Sequence, residues 1–369
     1  MSTRENHLSL LQLFLRENDL GEHFDSILAK LNTQFQDDFL TRLDLTHLDL
    51  KKLSKSINKF VSLERLDLRY NELTSLPDTI GELRNLRRMD LRSNCLKTLP
   101  ASFKQLINLR KLDLRENLMK EFPDELSYLS KLRELNLNDN HITLFPDVIQ
   151  KLEKLEVLSI RNMNLTSLPP IICQLKRLTF LDLGSNHLAT LPRAINQLQR
   201  LVSLVLQKNR LIDIPHTLCE LPHLQRIDFR YNKFKFIPEC LLELTKLSRL
   251  DFVSNQLEEI PDEIHSLHNL LDFRLYDNNL TVLPDNICKL EKLQRLELHY
   301  NQLKQLPNRI GNLSHLRELI ISNNQIEELP PSLIELENIK LLNVENNPLS
   351  DNSREILGRL NGKGCKIIT

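Results

Sequence analysis

The chain has 369 residues and balances 49 Lys and Arg against 49 Asp and Glu. That balance argues against a surface that tracks a polyphosphate along its whole length, although local charged patches stay open. With no Trp and 5% aromatic residues the core is expected to be Leu and Ile, and the cysteines at 95, 173, 219, 240, 288 and 365 are scattered, not clustered as in a small disulfide framework.

Residues 1 to 40 open the chain with a pattern of their own. The stretch MSTRENHLSLLQLFLREN carries an apolar run too short and too interrupted by polar residues to cross a membrane, and no small-residue cleavage site comes after it. A soluble, non-secreted, cytoplasmic protein is therefore expected. A helix is predicted over about residues 7 to 16, with Asn18 and Gly21 marking its end. Phe24, Ile27, Leu28, Leu31 and Phe35 then fall at the spacing of one helix face. The opposite face mixes Glu22, Asp25, Lys30 and Asp37, which is not the Lys/Arg-rich face of a membrane-surface helix. The segment is predicted to be a helical cap over the first coil of a repeat array.

From residue 41 to 349 the chain repeats itself. The stretch LERLDLRYNELTSLPDTIGELRN, residues 63 to 85, returns every 23 positions with Leu63, Leu66, Leu68, Asn71, Leu73, Leu76, Pro77, Ile80 and Leu83 in fixed places. Asn recurs at 71, 94, 117, 140, 186, 209, 232, 255, 278, 301, 324 and 347. Pro keeps to the same lattice from 77 to 330. Each part has a physical reason. The short x-Leu-x-Leu-x segment alternates with period two, so Leu66 and Leu68 point inward and Asp67 outward. The Asn amide both donates and accepts, as a buried turn between coils requires. The Pro gives up an N–H and ends the extended segment, and Pro-x-x-Ile-x-x-Leu-x-x-Leu then reads as a short helix or 3-10 turn burying Ile80, Leu83 and Leu86. Cys173, Cys219 and Cys288 share one place with Gly81 and Gly311, so close packing, not redox or metal chemistry, is the expected reason for them.

Self-similarity of this length marks a solenoid, and the L-x-x-L-x-L-x-x-N-x-L pattern resembles the intracellular leucine-rich repeat proteins of the 23-residue LPxxI type. That type includes Ras-group, scribble-like and plant intracellular repeat proteins, and bacterial effectors that imitate them. The resemblance implies an α/β leucine-rich repeat solenoid: a curved parallel sheet on the concave side, short helices or 3-10 turns outside, and about 14 coils. Three segments are expected, a helical N-terminal cap over 1–40, the repeat array over 41–349, and a C-terminal cap over 350–369. In that last segment Asp351 to Leu360 has helical composition, Asn361-Gly-Lys-Gly is a turn, and Cys365-Lys-Ile-Ile-Thr forms a last strand or cover. One lattice break is visible, in RNMNLTSLPP, where Met163 holds the ladder place and Asn164 falls one residue late.

No reactive constellation stands out. Gly358-Arg-Leu-Asn-Gly-Lys-Gly is one residue short of a phosphate-binding loop and lacks its Ser/Thr. His265-x-x-His268 has no third ligand at metal-binding spacing. The three Asn-x-Ser/Thr matches at Asn164, Asn279 and Asn312 are expected to be idle. A non-enzyme without cofactor or metal is expected, which leaves the outward face of the strands as the informative surface. Early strands present Arg65, Asp67 and Arg69, then Arg88, Asp90 and Arg92, then Lys111, Asp113 and Arg115, an acidic column between two basic ones. The middle of the face carries Val157, Ser159, Arg161, Phe180, Gly184, Ser203 and Val205. Farther on come Arg226, Arg230 and Tyr231, then Tyr276, His299 and Tyr300. With Tyr70, four of the five tyrosines lie on or beside this face, a composition resembling protein-binding hot spots.

The expected function is a non-catalytic scaffold or adaptor whose partner is another protein, with no nucleic acid and no membrane insertion. By resemblance, partners include small GTPases, phosphatases and kinases. A secreted bacterial effector, or a targeting subunit of a phosphatase, kinase or ubiquitin-ligase complex, are the alternatives.

Overall fold

The computed structural model describes residues 3–20, 34–36 and 39–369. The chain divides into two compact units, one of Met1–Leu165 with Pro169–Asp182, the other of Thr166–Leu168 with Leu183–Thr369.

In the first unit, helix α1 (Thr3–Glu17) precedes strands β1 (Gln34–Gln36), β2 (Phe39–Asp44), β3 (Arg65–Asp67), β4 (Arg88–Asp90), β5 (Lys111–Asp113), β6 (Glu134–Asn136), β7 (Val157–Ser159) and β8 (Phe180–Asp182). Strand β1 pairs antiparallel with β2. From β2 to β8 all pairs are parallel and in step, so that Arg42, Arg65, Arg88, Lys111, Glu134, Val157 and Phe180 stand in one column. The second unit continues with β9 (Ser203–Val205), β10 (Arg226–Asp228), β11 (Arg249–Asp251), β12 (Asp272–Arg274), β13 (Arg295–Glu297), β14 (Glu318–Ile320) and β15 (Leu341–Asn343), then helix α2 (Asp351–Gly362) and strand β16 (Lys366–Ile368), again parallel throughout. Strands β2 to β15 are the 14 strands of the repeat pattern. The last stretch, Lys366–Ile368, adds a strand beside β15.

A strand of three residues has one inward side chain, and the repeat spends it on Leu66, Met89, Leu112, Leu135, Leu158 and Leu181, all buried. The residues on either side point outward. The next Leu of each coil, such as Leu68 or Leu91, is buried as well. From the second coil on, each outer segment is a 3-10 turn that follows the lattice Pro, whereas the first, Lys55–Lys59, is capped by Ser54; in Asp78–Glu82 the Ile80 N–H donates to Pro77 O at 3.0 Å. Ile80, Leu83 and Leu86 are fully buried there. Five residues are too few to profit from α-helical bonding, and the tighter turn suits them. A Cβ on Gly81 would sit 2.3 Å from Ser102 O of the next coil, so that place admits only glycine in this coil.

The ladder asparagines bind the coils together. Asn94 Nδ2 donates to Leu68 O at 3.0 Å and Leu91 O at 3.0 Å, and its Oδ1 accepts the Leu73 N–H at 3.0 Å. Asn117, Asn140, Asn209, Asn232, Asn278, Asn301 and Asn324 repeat this pattern. One buried side chain thus satisfies three backbone groups on two coils. Two coils depart from the lattice. Met163 and Leu48 hold the Asn place, and in both the next residue, Asn164 (φ 59°) and Asp49 (φ 51°), turns left-handed. The chain absorbs the apolar residue by rerouting its backbone.

Helix α1 packs against the first coil. Leu11, Phe14 and Leu15 are buried, and the Phe14 ring meets Phe60 edge-on at 5.5 Å. Ser54 N–H donates to Asn18 Oδ1 at 2.8 Å, and the Ser54 and Ser56 hydroxyls both donate to Glu17 Oε2. The predicted helix over 7 to 16 is therefore present and longer. The second predicted helix is corrected at its end, since Phe35 lies in strand β1. The remainder of that helix falls outside the described residues. At the other end α2 begins at Ser350, whose side chain accepts the Ser353 N–H at 3.3 Å. Within α2 itself, Ser353, Leu357 and Leu360 are buried. Gly358 and Gly362 are helical residues of α2, not parts of a phosphate loop.

The cysteines divide. Burial pushes the Cys173 thiol up to about 12 and the Cys288 thiol up to about 11, so both are inert packing groups. Cys219 breaks that expectation. It is disulfide-bonded to Cys240 on the neighbouring outer segment, with Cα atoms 5.7 Å apart. The four others described, at 95, 173, 288 and 365, are free.

Candidate protein-binding face

In the first unit the outward positions of β2 to β5 stack as columns of like charge. Asp44, Asp67, Asp90 and Asp113 stand in register. Burial, and then repulsion from Asp90, push the Asp67 carboxyl up to about 6. Burial does the same to Asp113, with Asp90 again contributing. Each Asp has a basic partner in its own coil, and Arg92 also offsets Asp113 from the neighbouring coil. Arg69, Arg92 and Arg115 fold back on Asp67, Asp90 and Asp113 at 3.2, 3.9 and 3.3 Å. Arg65 and Arg88 are exposed and make no ion pair with a described residue. Tyr70 is exposed, stacked on His47 at 4.4 Å, with the Arg92 guanidinium 5.1 Å from its ring centre. In β7 the columns turn uncharged, and in β8 only Asp182 restores a charge: Val157 and Phe180 are half-buried, and Ser159, expected outward, is buried. Arg161 is half-buried and its N–H donates to Asn138 Oδ1 at 2.7 Å.

The second unit carries a denser network. Arg230 grips Asp228 with two bonds, Nε to Oδ1 at 2.9 Å and Nη2 to Oδ2 at 2.7 Å. Asp251, fully buried, lies 3.6 Å from both Arg230 and Arg249. Its Oδ2 has no hydrogen bond, and burial together with the Asp228 charge pushes it up to about 6. Arg274 holds Asp272 in the same two-bonded way, at 2.9 and 3.0 Å. Arg295 does so to Glu318 at 2.6 and 3.0 Å, holding that carboxyl below its usual range. These bonds span β10 to β14. Repeat-by-repeat comparison missed Arg249, Asp272, Arg274, Glu297 and Glu318, because the alternation that builds the network runs across coils. The available signal was Arg or Asp/Glu at the first and third positions of every strand from 226 to 297.

Beside this network Tyr276 and His299 stack at 4.1 Å with planes 16° apart, and Tyr300 closes on His299 edge-on at 5.6 Å. Burial pushes the Tyr276 hydroxyl up and the His299 imidazole down, so neither is charged near neutral pH. Tyr231 is exposed, with Lys208 Nζ 5.5 Å from its ring centre. Arg226 is exposed and makes no ion pair with a described residue, and Val205 is half-buried. Gly184 and Ser203, expected outward, are buried. The predicted residues thus gather into two groups, Arg65 to Phe180 on the first unit and Val205 to Tyr300 on the second. Away from this face, His265 Nδ1 lies 2.9 Å from Asp262 O and His268 Nδ1 lies 2.9 Å from Ser266 O, both local backbone contacts.

Parallel strands of three residues, an Asn ladder and 3-10 returns define a leucine-rich repeat solenoid, and comparison with known proteins agrees. Models described as leucine-rich repeat region and leucine-rich repeat match residues 39–138, 123–205, 199–257 and 315–336. A leucine-rich repeat protein of Leptospira interrogans is 32% identical, with 89% of this chain and 95% of that one covered at a TM-score of 0.77. An internalin of Listeria monocytogenes shares the fold at 22% identity, covering 84% and 88% with a TM-score of 0.74. The leucine-rich repeat ectodomain of an Arabidopsis thaliana membrane receptor kinase, solved in complex with Casparian strip integrity factor 2, is 25% identical over 81% of this chain and 43% of that one, TM-score 0.56. No curated protein matches the chain. The chain belongs to the leucine-rich repeat family. Among the described residues no helix is long and apolar enough to cross a membrane.

Proposed function

We propose that the chain is a non-catalytic scaffold or adaptor that binds another protein on the outward face of its strands. The observation that carries this reading is the Tyr276–His299–Tyr300 cluster, in which aromatic rings are held in contact before any partner arrives. Rings ordered in advance cost little entropy on binding, and aromatic and Arg side chains supply most hot spots. Arg226, with no ion pair to a described residue, stands on the same unit. The Arabidopsis ectodomain, solved in complex with Casparian strip integrity factor 2, lends the reading general support.

The finer assignments are likewise proposals. We read the array as the LPxxI type on its Pro lattice, the segments 1–40 and 350–369 as its covers, and the site of action as cytoplasmic. Similarity to the Leptospira chain favours a bacterial effector, acting in host cytoplasm, as the second reading. Cell fractionation with a translocation assay separates the two locations.

The test is affinity purification from the native cell with mass spectrometry. The double variant Phe180→Ala with Arg226→Glu is expected to lose the main partner at near-native thermal stability. Exchanges on the outer segments, Glu153→Lys with Lys246→Glu, are expected to keep it. Capture that tracks the outer segments and ignores the strand face would place binding elsewhere.

A further inference from the structure

The edge where the strands of the first unit begin holds cations that folding does not need. A cleft of about 440 Å³ is lined there by Arg65, Arg87, Arg88, Arg110, Lys111 and Arg133, with Glu64 as its one carboxylate. Arg87 pairs with Glu64 at 3.1 Å and Arg133 with Glu156 at 2.7 Å, while Lys111 pairs with Glu134. Arg65, Arg88 and Arg110 are exposed and form no ion pair with any described residue. They come from three successive coils: Arg65 is in register with Arg88, and the Arg110 N–H donates to Arg87 O at 2.9 Å. Like charges set side by side on neighbouring strands repel, and no described residue of the unit is ion-paired with these three. The three existing pairs are exposed, weak and free to exchange partners.

Resting on the protein-binding reading, we infer that this edge docks an acidic segment of the partner protein, laid across the coils with its carboxylates on Arg65, Arg88 and Arg110. A guanidinium takes a carboxylate through two parallel hydrogen bonds, which suits discrete acidic side chains. A continuous polyanion fits poorly. Glu64, Glu134 and Glu156 interrupt the edge, and the Asp67, Asp90 and Asp113 column runs beside it, so a nucleic-acid backbone or an anionic membrane would meet these carboxylates. A partner's side chains can be spaced between them.

The probe is a fluorescein-labelled peptide of alternating Glu and Ser, titrated by fluorescence anisotropy into the full chain at low salt. Saturable binding is expected, weakened roughly tenfold or more in Arg65→Gln with Arg88→Gln and Arg110→Gln, and falling steeply with salt. These neutral changes relieve repulsion, so thermal stability is expected to hold or rise. The control set Lys154→Glu, Lys176→Glu and Lys246→Glu is expected to bind as the parent does. Absence of saturable binding, an equal loss in the control set, or tighter binding of duplex DNA or phosphatidylserine vesicles than of the peptide would overturn the inference. The two readings fail separately. If Phe180→Ala with Arg226→Glu loses the purified partner and the Gln set does not, the edge assignment falls and the binding face stands. If the peptide behaves as expected while the face variants still capture the partner, the face assignment falls.

Discussion

Arg230 meets Asp228 through two parallel bonds, at 2.9 and 2.7 Å, while its Nε also lies 3.6 Å from the buried Asp251. One guanidinium therefore answers two carboxylates on adjacent strands, and it is part of the fold before it is part of any binding surface.

Arg230→Ala is accordingly expected to lower stability by about 2 kcal/mol, because it leaves a half-buried and a buried carboxylate without their main partner. Arg226 in the same coil makes no ion pair with a described residue, so Arg226→Ala should stay within about 0.5 kcal/mol of the parent. Equilibrium denaturation in urea reads both. Equal effects would mean that the Arg230 pairs contribute nothing net.

The acidic column of the first unit sets a pH dependence. A carboxyl held at about 6 in the folded chain, as at Asp113, has a folded value above its unfolded one. Between roughly pH 4 and pH 6 the folded state binds more protons there, so this group's contribution falls as pH rises and the cost is complete above about 6. Asp113→Asn keeps an oxygen to accept the Arg115 N–H, now at 3.1 Å, and removes the charge. Its melting temperature is expected to exceed the parent's at pH 7.5, by an amount worth on the order of 1 kcal/mol, and to match it near pH 4. A variant that is less stable at pH 7.5 would show that the contact with Arg115 outweighs the burial of the charge.

At Met163 the ladder misses a rung. By the rule that joins Asn94 to Leu73 and Asn140 to Met119, the side chain at 163 should accept the Ile142 N–H. The Met163 side chain has no oxygen to offer, both residues are fully buried, and that N–H has no hydrogen bond to a described residue. Met163→Asn is expected to raise the unfolding midpoint by about 1 kcal/mol, and Asn117→Met to lower it by more, since three backbone groups then lose a partner. A lower midpoint for Met163→Asn would mean that the left-handed turn at Asn164 has fitted the coil to an apolar residue.

Much of this was legible because a repeat states each rule a dozen times. The inward Leu66 and Leu68, the Asn ladder, the Pro-opened turns and the strand register all derive from the 23-residue lattice. What escaped it was whatever leaves the lattice. Cys219 and Cys240 are 21 residues apart, so they occupy different places in the repeat and no column comparison pairs them. Phe35 falls on a helical spacing but lies in a strand, because pairing with β2 outweighs a local periodicity. The ion pairs of Arg249 with Asp272, Arg274 with Glu297 and Arg295 with Glu318 depend on side-chain reach between strands, which spacing alone does not give. Small residues such as Ser203 point outward by alternation yet are covered by longer neighbours.

Tyr231 offers the sharpest separation of fold from binding. It stands at φ 56°, in the left-handed region, and so do Tyr70 at 56° and Tyr300 at 54°. The same place in other coils is left-handed whatever residue holds it: Ser93, Asp139, Asn162, Ser254, Asp277 and Asn323 all lie at φ 52–57°. The fold imposes the conformation, and a bulky aromatic is a poor choice for it, whereas Asn is tolerated. Tyr231 is also 47% exposed and lies in no aromatic cluster, so it adds little to the core. Tyr231→Asn is therefore expected to raise stability by about 0.5–1 kcal/mol through backbone relief. If Tyr231 is an anchor for the partner, the same change should weaken binding by about 2 kcal/mol or more. Differential scanning calorimetry and a binding titration with the purified partner read the two effects independently. Opposite signs would mark a residue kept for recognition at a cost to the fold. A stability loss with unchanged affinity would assign Tyr231 to the fold and remove it from the binding face.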